Sequence, residues 1–130
     1  MGEPVWLRDD VVLAIHRRQL AEHCGAEGLR DAALLASALA RPRNQLAYSD
    51  PKPYLADLAA AYAFGIARNH PFVDGNKRTA FVAYRTFLKC NGRDIEAPAT
   101  EKYLQFIGLA EGSVTEDDLA DWIRAHLIRG

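Results

Sequence analysis

Cysteine is nearly absent from this 130-residue chain: Cys24 and Cys90 stand far apart and in no CxxC pair. Free thiols in a reducing compartment fit that usage better than a disulfide framework. There is no HExxH and no Cys/His cluster, so neither structural nor catalytic zinc is expected. Long apolar runs are also missing. The longest uncharged stretch, Leu58 to Ala67, is about half of what a bilayer span needs, so no membrane association is expected. Met1 to Asp10 has no basic-then-apolar leader pattern, which points to a soluble cytoplasmic protein. Charge of one sign is lacking too, with 16 Lys+Arg against 17 Asp+Glu and a net charge of −1. A broad phosphate-neutralising surface, and with it direct nucleic-acid binding, is not the default.

β-Branched residues are few as well. Six Val and six Ile stand against 22 Ala and 15 Leu, a helix-forming composition. The length suits one domain, 1–130, with a single core. The expected fold is all-α: a compact bundle of about six helices with at most a short strand pair. A first helix starts at Asp9 or Asp10, carries Val11, Val12, Ile15 and Leu20, and frays at Gly25. A second is capped by Asp31 and is expected to stop before Pro42. Arg41 to Pro53, with three prolines, reads as a long loop, and such loops are often functional. A third helix runs from about Leu55 to His70, and a fourth from Asn76 to Asn91-Gly92. Both lack charge over much of their circumference, as a buried central pair would. Asp94 to Ala97 allows a short strand. A fifth helix follows Thr100, and a sixth, capped at Thr115, buries Leu119, Trp122, Ile123 and Leu127. Tyr62, Tyr84, Phe81, Phe87, Trp6 and Trp122 are expected in the core. His16 reads as a packed or capping histidine, and His23 and His126 as helix-end residues without a chemical role.

One stretch breaks the local rules: Arg68-Asn69-His70-Pro71-Phe72-Val73-Asp74-Gly75-Asn76-Lys77-Arg78. Lys77 and Arg78 fall in the first turn of the fourth helix, where cations oppose the helix dipole. They make sense if an anion sits between the free backbone N–H groups and the two side chains. Gly75 allows a tight turn and close approach of backbone to ligand. Asp74 is placed to hold Mg²⁺, which usually shares one carboxylate with phosphate oxygens. His70, with an ordinary pKa near ~6.5, is the candidate general base. A base, a metal carboxylate and a polyanion cradle suggest transfer of a phosphoryl or nucleotidyl group to a hydroxyl. The GxxxxGK[ST] spacing of a P-loop is absent. The bland alternative is a turn whose Asn and Asp merely cap a helix. Phe72 is expected to anchor the turn in the core, and Gly65 to allow close approach of two helices.

His70-Pro71-Phe72-Val73-Asp74-Gly75-Asn76-Lys77-Arg78 resembles the signature of the Fic/Doc superfamily, HxFx(D/E)GN(G/K)R, without gaps. The flanking Ile15-His16, Gly28-Leu29-Arg30-Asp31, Leu39-Ala40-Arg41-Pro42 and Phe87-Leu88-Lys89-Cys90-Asn91-Gly92 are similar to the death-on-curing (Doc) branch. The resemblance implies that His70 deprotonates a target hydroxyl and that Asp74 is the Mg²⁺-associated carboxylate. Gly75 and Asn76 then match the anion-hole segment, Arg78 the phosphate-binding arginine, and Arg68 a position implicated in nucleotide handling. It also implies a flap that aligns the target, which the Arg41–Pro53 loop would supply.

Two departures bear on the branch. Fic adenylyltransferases usually have Gly where this chain has Lys77, and a second Arg where it has Phe81. In Doc-like proteins the Lys goes with an inverted ATP whose γ-phosphate faces the His. The resemblance therefore implies an ATP-dependent, Mg²⁺-requiring protein Ser/Thr kinase, the toxin of a toxin–antitoxin pair. Its implied target is elongation factor Tu, and its effect translation arrest. A nucleotidyltransferase, or a catalytically silent module that only binds a partner, are the other readings. Fic proteins often silence themselves with an (S/T)xxxE(G/N) helix. Here Ser37, Thr100, Ser113 and Thr115 are followed four residues on by Arg41, Leu104, Asp117 and Leu119. With no inhibitory Glu, restraint by an antitoxin in trans is implied.

Overall fold

The computed structural model describes residues 3–130; Met1 and Gly2, part of the amino-terminal stretch considered above, lie outside the described residues. Six helices follow in order: α1 (Asp9–His23), α2 (Ala32–Tyr48), α3 (Leu55–Asn69), α4 (Asn76–Cys90), α5 (Ala99–Glu111) and α6 (Glu116–His126). Two three-residue strands, β1 (Arg93–Ile95) and β2 (Leu127–Arg129), pair antiparallel with Ile95 opposite Leu127. The fold is all-α with one short strand pair, as expected, although Leu127 opens β2 and does not extend α6.

The most apolar helix sits at the centre. Ten residues of α3 are buried, among them Leu58, Tyr62, Ile66 and an alanine run that lets neighbours approach closely. α2, α4, α5 and α6 pack around α3, and α1 packs on α4. α4 contributes Ala80, Ala83, Tyr84, Phe87 and Leu88, all inaccessible to solvent. Phe81, Trp6 and Trp122 are partly buried against this core. Helix starts follow their expected caps where a hydroxyl or carboxylate is available. Asp31 accepts the Leu34 N–H at 3.1 Å, and Thr115 and Asp118 form a reciprocal capping box.

The end of α2 departs from expectation. The helix does not stop before Pro42 but continues to Tyr48, so the Arg41–Pro53 loop shrinks to the residues just before Leu55. A proline inside a helix removes one hydrogen bond and crowds the carbonyl four residues earlier, here that of Ala38. Pro42 is itself buried, so its ring contributes apolar packing. Beyond it, Arg41 and Gln45 on successive turns both bond the Glu116 carboxylate at the start of α6, which holds the helix together past the break.

Gly65 of α3 lies against that same turn. A Cβ built there would sit 3.2 Å from both Cα and O of Ala38, so the glycine serves the close approach its mid-helix position implied. Gly65→Ala improves helix propensity by about 1 kcal/mol. It must also push two backbones apart, an overpacking penalty of about 1–3 kcal/mol. The expected result is a net fall in the thermal midpoint; a rise would mean that the two helices do not approach so closely.

Candidate active site

The candidate site is the turn between α3 and α4. α3 ends at His70, which caps the helix in the left-handed region (φ 50°, ψ 54°), unusual for a residue with a Cβ. Such a conformation costs roughly 1–2 kcal/mol and persists only where the surroundings enforce it. Here they do. Arg30, reaching across from the α1–α2 connection, donates from Nε to the His70 carbonyl (2.7 Å) and from Nη2 to the Asn69 carbonyl (2.9 Å). The Pro71 carbonyl accepts the N–H groups of Arg30 (2.7 Å) and Asp31 (3.0 Å). Asn69 Nδ2 adds a bond to the Leu34 carbonyl at 3.0 Å. The His70 ring is left exposed at the rim.

Phe72, 1% exposed, anchors the turn in the core as expected. It forms an isolated antiparallel bridge with Leu29, and the Val73 N–H bonds the Gly28 carbonyl at 3.0 Å. Asn76, also buried, accepts the Phe72 N–H on Oδ1 and donates from Nδ2 to the Phe72 carbonyl, both at 3.0 Å. The Asn76 side chain thus clamps the turn. What it can offer an anion is its backbone N–H.

α4 starts from Gly75 (φ 77°), with no side-chain cap. The first bond back to the cap is Thr79 N–H to Gly75 O at 3.0 Å. The amides of Asn76, Lys77 and Arg78 therefore have no partner within the helix. The Lys77 and Arg78 side chains are exposed beside them. Among the described residues no carboxylate pairs with either, and Arg78 Nη1 lies 3.4 Å from His23 Nε2. The Asp74 carboxylate accepts the Gly75 N–H (2.8 Å) and, more weakly, the Ala26 N–H (3.4 Å).

His70, Asp74, Gly75, Asn76, Lys77 and Arg78 line one cleft of about 370 Å³, with Val73 and Phe106 completing its wall. Arg68 does not join them: it lies over the Phe64 ring, 5.3 Å from its centroid, in a neighbouring cleft with Arg41, Gln45 and Glu116. The segment beside the turn is also not Arg41–Pro53, most of which is helical. It is the α1–α2 connection, 24–31, which exposes Leu29 next to Val73. Phe106 of α5 and Arg30 were missed by sequence reasoning. Arg30 stood in a flanking stretch but nothing in its spacing indicated a carbonyl clamp. Phe106 joins the cleft only through tertiary packing, edge-on to Phe81 with centroids 5.0 Å apart.

A turn of this build, with an exposed imidazole on one side and an uncapped, cation-flanked helix start on the other, corresponds to a known family. The Fic/DOC family model matches residues 6–88, which span the turn, its clamp and the α1–α2 connection, and the chain belongs to that family. Over 69 residues it is 49% identical to a protein of Mycolicibacterium smegmatis named Toxin Doc, covering 53% of each chain. The chain thus aligns with about half the length of that relative. Over 114 residues it is 28% identical to Protein kinase doc of Escherichia phage P1, covering 87% of this chain and 88% of the other. No helix among the described residues is long and apolar enough to cross a membrane.

Proposed function

We propose that this chain is a Doc-type toxin: a cytoplasmic kinase that transfers the γ-phosphate of ATP to a Ser/Thr hydroxyl of a protein target. Elongation factor Tu is the target the family resemblance names, with translation arrest as the result and an antitoxin in trans as the restraint. The observation that carries the kinase reading is the make-up of the cleft wall. Lys77 lines the same cleft as His70, at the uncapped α4 start. Phe81, where a nucleotidyltransferase of this family has its second Arg, is spent in an aromatic cluster with Tyr84 (5.2 Å) and Phe106. The name of one relative, Protein kinase doc, agrees with the kinase reading, and that of the other, Toxin Doc, with the toxin.

In this reading the target hydroxyl lies against His70, which takes its proton as the oxygen bonds to the γ-phosphorus and the bond to the β-γ bridging oxygen breaks. ADP leaves, and the proton rests on the imidazole. The leading amides of α4 and the Arg78 guanidinium hold phosphate oxygens through charge-assisted hydrogen bonds. Lys77 adds a point charge beside them. Mg²⁺ fits the donor set, since Asp74 is a single exposed carboxylate beside the cradle. That is the usual protein share of a site completed by water and phosphate oxygens. Bound there, the ion would neutralise charge on the phosphate chain.

Incubation with Mg²⁺ and ATP labelled at either the α- or the γ-phosphorus tests the reading. Label reaching elongation factor Tu, or another cytosolic protein, from the γ position alone is the expected result. Transfer of α label would make the chain a nucleotidyltransferase and overturn the assignment of Lys77.

A further inference from the structure

We propose that His16 of α1 is a positioning residue of this site, acting by locking the Asp74–Gly75 peptide; the inference rests on the kinase reading for its effect on catalysis. His16 is 4% exposed. Its ring stacks on Phe72 with centroids 3.7 Å apart and planes within 9°. Its Nε2 lies 2.7 Å from the Asp74 carbonyl oxygen. Packing alone would be served by an apolar side chain, whereas a buried imidazole is disfavoured unless it is hydrogen-bonded.

The peptide it holds is the hinge of the site. Asp74 O is taken by His16, and Gly75 N–H is taken by the Asp74 carboxylate at 2.8 Å. A peptide unit is planar, so fixing both its oxygen and its hydrogen fixes the plane. Gly75 has no Cβ to restrict rotation, and in its left-handed conformation it starts α4. Orientation of that one plane therefore decides where the Asp74 carboxylate sits and where the amides of Asn76, Lys77 and Arg78 point. A Cβ built at Gly75 would lie 3.6 Å from His16 Cδ2, so a side chain there would rest on the ring.

The bond requires a hydrogen on Nε2. ¹⁵N NMR of the wild-type protein should show a protonated Nε2; the Nδ1–H tautomer with a bare Nε2 overturns the proposal without any variant. His16→Phe keeps the stack and loses the donor, while His16→Gln keeps a donor at similar reach and loses the ring. His16→Phe should lower kcat for transfer roughly tenfold or more with KM for ATP little changed, as misplacement of reacting groups does. His16→Gln should stay close to wild type. The reverse order, or a His16→Phe enzyme as fast as wild type, assigns the ring to packing alone. Amide exchange at Phe72 to Asn76 should quicken in His16→Phe while the α3 core stays protected; an unchanged pattern counts against the lock. If the wild-type protein transfers no label, the kinase reading fails, and the tautomer and exchange results still decide the role of His16.

Discussion

His70→Ala is expected to lower γ-phosphate transfer by roughly 10²–10⁴-fold, the contribution typical of a positioned general base. Stability should hardly move. The His70 side chain is exposed at the rim, and what fixes the backbone there is Arg30 gripping the carbonyls of Asn69 and His70, a contact that alanine retains. Surface substitutions of this kind usually change stability by no more than about 0.5 kcal/mol. Ala is poorly suited to the left-handed region, which Asn tolerates at least as well as His. His70→Asn is therefore the sharper control: equally inactive, and at least as stable. Label transfer and thermal midpoint, measured on the same preparations, separate the two effects. Undiminished transfer by a folded His70→Ala protein would remove His70 as the base and require another proton acceptor.

Asn76→Ala should give the largest loss of stability among the cleft residues, about 2–4 kcal/mol. Both polar groups of its amide bond the backbone of Phe72, and all of these atoms are buried. Truncation strands a donor and an acceptor together, each costing about 1–3 kcal/mol in desolvation without a partner. Asp is not a rescue, because a carboxylate accepts from Phe72 N–H but repels the carbonyl. The adjacent Lys77→Ala should do the opposite: it removes a cation that opposes the α4 dipole, so unfolding in denaturant should be unchanged or shifted slightly upward. The pair separates a residue that builds the turn from one placed for a ligand. A denaturation midpoint for Asn76→Ala equal to wild type would sink the clamp.

The turn was legible because its residues are contiguous. Cations at a helix start, a glycine before them and a histidine before a proline are anomalies visible without a fold, and they resemble one family pattern without gaps. What was not legible needed a second segment. Pro42 is a helix breaker by local rules, and only the Glu116 contacts of Arg41 and Gln45, with burial of the ring itself, show why α2 runs on to Tyr48. With that helix restored, the loop suspected of aligning a target largely disappears, and the exposed segment beside His70 proves to be 24–31. Arg68 is close to His70 in the chain yet faces another cleft, since two residues along a helix turn by about 200°. Asn76 showed its residue type but not its partners.

The Arg30 clamp has a consequence for fragments of this chain. A piece produced by proteolysis or internal initiation after Asp31 would carry every residue from His70 to Arg78, and would satisfy any search for the motif. It would lack the guanidinium on the Asn69 and His70 carbonyls and the two amides on Pro71, as well as the strand partner of Phe72. The Asn69 bond to the Leu34 carbonyl and the Asn76 clamp would remain, with far less to oppose relaxation of His70 from its left-handed conformation. The nine-residue signature is thus not an autonomous unit: its presence marks ancestry, and its geometry depends on a discontinuous surface assembled from two distant stretches of chain.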